Sequence, residues 1–229
     1  MDKIKGLLFD LDGVIVDTAK YHYLAWKELA EKLKIPFTEK DNERLKGVSR
    51  KQSFNIILEI GGIDLTDEEK EKYCTIKNNI YLKYINELKR EEILTGVNEF
   101  LEDAKNKGYK IALGSASKNA GVILSRLMLN NTFDAVIDGT MVNTAKPDPE
   151  VFLLGAKELG LNKECCIVFE DAKAGIEAAH NGGMKAIGIG QKENLPNADI
   201  CIPGLFNITI DDLISRLKDL NKGDCYDRL

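Results

Sequence analysis

Residues Phe9-Asp10-Leu11-Asp12-Gly13-Val14-Ile15-Val16-Asp17-Thr18 decide the fold: an apolar strand ends in two acids one residue apart, and a glycine turn follows. In an extended segment alternate side chains share a face, so Asp10 and Asp12 reach toward one reacting atom while Leu11 points into the core. Gly13 lets the chain leave the strand sharply. Asp also caps backbone amides at strand ends and turns, so the two carboxylates alone leave a catalytic and a structural role open. The balance shifts because Ser115, Lys146 and Glu170-Asp171 each stand at the end of a predicted strand or in the loop beyond it.

Working outward, apolar runs of strand length recur at 6–9, 110–114, 135–137, 166–169 and 186–189. Most alternate with helix-period segments at 97–107, 120–127, 149–159, 173–181 and 210–220. This alternation predicts an α/β fold, a Rossmann-like parallel sheet flanked by helices. Gly108 and Gly160 fall where helix C-terminal caps belong. Between residue 18 and residue 91 no convincing strand appears, and apolar residues recur at three- and four-residue spacing. The expected organisation is a core of 1–17 and 92–229, with 18–91 as an inserted α-helical cap domain. Two chain crossings, near Asp17-Thr18 and Glu91-Glu92, would let the insert open and close over the site. Its first helix, 19–33, is expected to pack through Tyr23, Trp26, Ala30 and Leu33, ending at Ile35-Pro36. Thr66 and Glu69 form a capping-box pattern before a long helix over 67–88. The segment after Leu220 is polar and reads as a frayed tail.

At 229 residues the chain has room for two globular pieces at most. Its 37 acidic and 32 basic residues give a formal charge of -5, which argues against a general affinity for nucleic acid or anionic membrane. Any anionic ligand must be held by local groups. No apolar run approaches the roughly 20 residues needed to span a bilayer, and the start lacks the apolar region of a signal peptide. The expectation is a soluble, cytoplasmic monomer. The five cysteines, Cys74, Cys165, Cys166, Cys201 and Cys225, show no C-x-x-C spacing, so neither a disulfide framework nor a zinc site is expected.

Ligands of open α/β sheets bind beyond the carboxyl ends of the strands, where the polar residues of this chain collect. Gly114-Ser115-Ala116-Ser117 offers a hydroxyl and loop amides for phosphate oxygens, or equally a turn or helix cap. Lys146-Pro147-Asp148-Pro149 restrains a lysine just before a helix, and a fixed ammonium suits developing phosphoryl charge. Glu170-Asp171, with Asp10, makes an oxygen-rich site of the kind Mg²⁺ prefers. A carboxylate nucleophile, a metal, a fixed lysine and an anion-binding loop together describe phosphoryl transfer through an aspartyl-phosphate.

These four groups resemble the four motifs of the haloacid dehalogenase superfamily, across essentially the whole chain. Narrower motifs point to its sugar-phosphate mutase branch: Asp17-Thr18-Ala19 with His22, Trp26, Leu45-Lys46-Gly47-Val48-Ser49-Arg50, Lys77-Asn78 and Ser115-Ala116-Ser117-Lys118-Asn119. The resemblance implies a phosphomutase that converts β-glucose 1-phosphate to glucose 6-phosphate, with glucose 1,6-bisphosphate as the activating intermediate. It implies that Asp10 carries the phosphoryl group and Asp12 is the acid/base. Mg²⁺ would be bound by Asp10, the Asp12 carbonyl, Asp171 and Glu170. Ser115, the Ala116 amide and Lys146 would hold the transferring group, and Ser117 belongs to the same loop. His22 and Lys77 would orient Asp12. Arg50, with Ser53 on the same helical face, would grip the other phosphate, and Lys118 and Asn119 would contact it from the core side. Thr18, Trp26, Gly47, Val48 and Ser49 complete the implied substrate contacts. Three rivals stay open: a phosphatase with the same motifs, a phosphonate hydrolase using Lys46, and a non-catalytic binding protein.

Overall fold

In the computed structural model, which describes residues 4–45 and 49–226, the chain divides into two compact units. Unit 1 comprises Met1–Asp17 and Lys89–Leu229, and unit 2 is Thr18–Leu88.

In unit 1 the strands are β1 (Gly6–Phe9), β2 (Lys110–Gly114), β3 (Ala135–Ile137), β4 (Cys166–Glu170), β5 (Lys185–Ile189) and β6 (Ile200–Ile202). They form one six-stranded sheet in the order β3-β2-β1-β4-β5-β6, with every pairing parallel. The central runs are continuously apolar because both faces are covered: Leu7, Leu8, Phe9, Ile167, Val168 and Phe169 are all fully buried. On one face Leu8, Ala112 and Val168 pack with Phe152 and Ile176. Elsewhere in the core Phe9 stacks on Phe169 at 4.5 Å between ring centroids, with Phe100 edge-on to both. β6, a three-residue strand at the sheet edge, is not among the strands expected from the sequence.

Unit 2 holds α1 (Ala19–Lys32), α2 (Glu39–Asn42), α3 (Arg50–Gly61) and α4 (Asp67–Asn86). Thr66 and Glu69 form the expected capping box at the start of α4. Two details differ from expectation. The buried face of α1 is Ala25, Trp26, Leu29 and Ala30, with Tyr23 and Leu33 only partly covered. The helix also ends at Lys32, one residue short of the expected 19–33: Lys34 adopts a left-handed φ of 58°, and the Ile35 amide turns back to the Ala30 carbonyl at 2.8 Å.

The helices of unit 1 are α5 (Val97–Asn106), α6 (Ala120–Arg126), α7 (Glu150–Glu158), α8 (Lys173–Asn181) and α9 (Ile210–Tyr226). The last of these continues into the segment read as a frayed tail. Among the described residues no helix is long and apolar enough to cross a membrane. Cys166, buried in β4, has its thiol pushed up by burial to about 12 and packs in the core as a small apolar side chain.

Candidate active site

The chain runs from β1 at the sheet centre out to β3 and then returns to β4 on the other side of β1. That reversal opens a crevice at the carboxyl ends of the strands. The Asp10 amide donates to the Phe169 carbonyl at 2.9 Å, extending the β1–β4 register by one residue and bringing Asp10 beside Glu170. The Asp12 amide donates to Asp10 Oδ2 at 2.9 Å, which fixes the plane of the Asp10 carboxylate. Asp10 Oδ1 is paired with Lys146 Nζ. The same ammonium donates to Glu170 Oε1 at 2.7 Å and to the Gly114 carbonyl at 3.3 Å. Lys146 and Asp10 side chains are 11% and 10% exposed, and Glu170 is 2% exposed, so this pairing is largely withdrawn from water. Burial works against the Lys146 ammonium, but Asp10 and Glu170 outweigh it and hold its pKa above the ordinary lysine value.

Glycines make room for the two acids after β4. A side chain at Gly13, whose φ is +77°, would collide with the Asp171 carboxylate, and one at Gly175 would collide with Glu170. Gly175 gives no signal in the sequence, because its need arises from a residue on the preceding strand. Glu170 Oε2 accepts the Ala172 amide at 2.7 Å, so both of its oxygens are engaged within the protein. Asp171 keeps part of its surface open to solvent. Burial of its carboxyl, followed by the nearby charges of Glu170, Asp10 and Asp12, pushes it up to about 8.

This crowding of carboxylates fits a hard divalent cation, which would relieve the excess negative charge. Among the described residues no three His, Cys, Asp or Glu side chains converge as a ready metal cage. Mg²⁺ does not need one, since it keeps several waters and binds through one or two carboxylates plus substrate oxygens.

Ser115, buried at the end of β2, accepts the Ser117 amide at 3.1 Å, and Ser117 Oγ accepts the Asn119 amide at 3.2 Å. The loop is therefore a chain of small turns leading into α6, with Ala116 and Lys118 exposed. Gly114 packs closely: a side chain there would stand 3.0 Å from the Phe152 ring, which would have to give way slightly.

In unit 2, Lys77 on α4 is 2% exposed, and its Nζ meets His22 Nδ1 on α1 at 2.8 Å. The same ammonium lies 4.8 Å from the ring centroids of both Trp26 and Tyr81. Burial, then the positive charges of Lys77 and Arg50, lower His22 to about 3, so its imidazole is neutral. A neutral ring that accepts from Lys77 at Nδ1 carries its proton at Nε2. Arg50 opens α3, is exposed, and donates to Asn78 Oδ1 at 3.0 Å. Ser49 caps that helix by accepting the Gln52 amide, and Ser53 is buried one turn on. Thr18 is buried at the start of α1, where its carbonyl accepts the Tyr21 and His22 amides. Tyr81, four residues from Lys77 on the same helix, is a contact whose only sequence signal is that spacing. Lys46, Gly47 and Val48 lie outside the described residues.

The chain is 42% identical to a β-phosphoglucomutase of Bacillus subtilis over 91% of its own length and 93% of that protein. It is 34% identical to a phosphorylated carbohydrates phosphatase of Thermotoga maritima over 80% of its length and 84% of that protein. A solved β-phosphoglucomutase from Clostridium difficile superposes with a TM-score of 0.86 at 40% identity, covering 94% of this chain and 98% of that one. The pattern of the haloacid dehalogenase-like hydrolases matches residues 7–189, and with the carboxylate, lysine and acid pair gathered at the strand ends, the chain belongs to that family.

Proposed function

We propose that the protein is a β-phosphoglucomutase, an isomerase that interconverts β-D-glucose 1-phosphate and glucose 6-phosphate. The observation that carries this reading is the Asp10–Lys146–Glu170 pairing, on a chain similar along nearly its whole length to β-phosphoglucomutases. Asp10 is the nucleophile: its carboxylate is oriented by the Asp12 amide and Lys146, and an oxygen attacks phosphorus to form an aspartyl-phosphate. Asp12, one strand step away, gives a proton to the departing sugar oxygen and takes one from the attacking hydroxyl. Lys146, the Ser115 hydroxyl and the Ala116 amide hold the transferring group.

Mg²⁺ would be held by Asp10, Asp171 and the Asp12 carbonyl, with Glu170 acting from behind through Lys146. When bound, the ion offsets charge on the phosphoryl oxygens. Phospho-Asp10 passes its group to the 6-hydroxyl of β-glucose 1-phosphate, making β-glucose 1,6-bisphosphate. The 1-phosphate then returns to Asp10 and glucose 6-phosphate leaves. Residues 18–91 act as a cap domain that excludes water, with Arg50 gripping the phosphate that is not being transferred.

The Thermotoga phosphatase relative favours one second reading, in which water takes the phosphoryl group from Asp10. One assay separates the two. With Mg²⁺, β-glucose 1-phosphate and a trace of glucose 1,6-bisphosphate, a mutase forms glucose 6-phosphate without free phosphate. Free phosphate without the isomer would replace the mutase by a sugar-phosphate phosphatase.

A further inference from the structure

Lys146 lies in an irregular stretch between β3 and α7, yet its Nζ meets Asp10, Glu170 and the Gly114 carbonyl together. A long flexible side chain on an exposed loop does not hold such a position by itself, because the loop backbone must be fixed first. Two contacts outside the site fix it. Glu150, the first residue of α7, turns its carboxylate back along the chain. Its Oε2 accepts the amides of Asn143 and Thr144, each at 2.8 Å, and its Oε1 accepts Asn143 Nδ2 at 3.2 Å. On the other side of Lys146, Asn181 at the end of α8 donates from Nδ2 to the Pro147 carbonyl at 3.0 Å.

An acid at the start of a helix ordinarily serves that helix's own amides. Here the Glu150 amide is already served by Asp148 Oδ1 at 2.9 Å, and the Glu150 carboxylate is spent on the loop leading to Lys146. The accepted amides, Thr144 first, also hold the Glu150 carboxyl below the usual carboxylate range, so it stays ionised near neutral pH. The second anchor comes from α8, which begins just after Glu170-Asp171, so Lys146 is tied to the helix that follows its own ion-pair partner.

We infer that Glu150 and Asn181 are positioning residues for phosphoryl transfer, anchoring the chain on both sides of Lys146 so that its ammonium stays on Asp10 and Glu170. This rests on the role given to Lys146 under Proposed function. A displacement of about 1 Å at a catalytic group costs on the order of 10²-fold in rate. Because Lys146 acts mainly as charge develops, its displacement lowers kcat and kcat/KM together and leaves KM nearly unchanged.

The test uses the full chain and its Lys146→Ala, Glu150→Ala, Glu150→Gln, Asn181→Ala and Lys146→Ala/Glu150→Ala variants in the mutase assay. Glu150→Ala and Asn181→Ala are expected to lower kcat roughly ten- to hundredfold with KM within about threefold. Glu150→Gln recovers most of the rate, since its amide oxygen keeps the two backbone bonds. In the Lys146→Ala background the Glu150→Ala change adds little, as expected of residues that act as a unit. Glu150→Ala at wild-type kcat, or its full loss repeated without Lys146, would overturn the inference alone. Wild-type turnover by Lys146→Ala would instead sink the reading of Lys146, and the inference with it. Should Glu150→Ala fail to fold, Asn181→Ala applies the same test from the other side.

Discussion

Lys146 in unit 1 and Lys77 in unit 2 are both largely withdrawn from water, and each is set against a different group within its own unit. Lys146 meets two carboxylates, whose charge raises its affinity for a proton above that of a free lysine. Lys77 meets an imidazole nitrogen and two aromatic faces. There the lysine imposes on its neighbour: burial together with the charges of Lys77 and Arg50 brings His22 down to about 3. Under the proposed function, a buried ammonium among carboxylates is a fixed charge ready to meet a phosphoryl group as one carboxylate becomes esterified. A buried ammonium against a histidine sets a tautomer, leaving His22 as a neutral donor at Nε2.

Removing Lys146 is the largest perturbation of this contrast. Lys146→Ala leaves the Asp10 and Glu170 carboxylates facing each other without their shared cation. Stability in metal-free urea titrations is expected to fall by about 3–5 kcal/mol, and turnover by roughly 10²–10³-fold. A stability loss below about 1 kcal/mol would mean that the two lysines are less different than their partners suggest.

A smaller effect is expected at Gly13, where a methyl group would push against the Asp171 carboxylate. For Gly13→Ala the Mg²⁺ concentration giving half-maximal activity should rise about tenfold or more. An unchanged Mg²⁺ titration would remove Asp171 from the proposed ion site.

The smallest effect concerns the other lysine and is read through pH. Folded His22 titrates at about 3 against an ordinary value of 6.5. Between those values the unfolded chain takes up the proton first, so His22 makes stability fall as pH drops through that window and has no such effect above it. Urea unfolding of the wild type should therefore lose on the order of 2 kcal/mol more between pH 7.5 and pH 4.5 than His22→Gln does. Equal losses would show that burial beside Lys77 and Arg50 does not hold the imidazole neutral.

The same contrast marks what could be read in advance. The strand-end acids, Ser115 and Lys146 were legible because an apolar run followed by a polar residue records its position along one dimension. The helical insert was legible from its three- and four-residue spacing. The buried face of α1 was shifted because Tyr23 and Leu33 have the right spacing, and only packing decides which of several apolar residues faces inward. The edge strand β6 was not read from its three residues, and the need for glycine at Gly175 comes from Glu170 on the preceding strand.

The sequence by itself determined the β/α alternation, the inserted helices and the residue types of the chemistry, because periodicity and motif order are local properties of a chain. Only the tertiary structure decided that Glu170 spends both oxygens on Lys146 and the Ala172 amide, that burial beside Lys77 keeps His22 neutral, and that Glu150 reaches back to Asn143 and Thr144. Each of these is a choice of partner among several groups that could donate or accept. Hydrogen-bond geometry and burial make that choice, and both exist only once distant segments have been packed together.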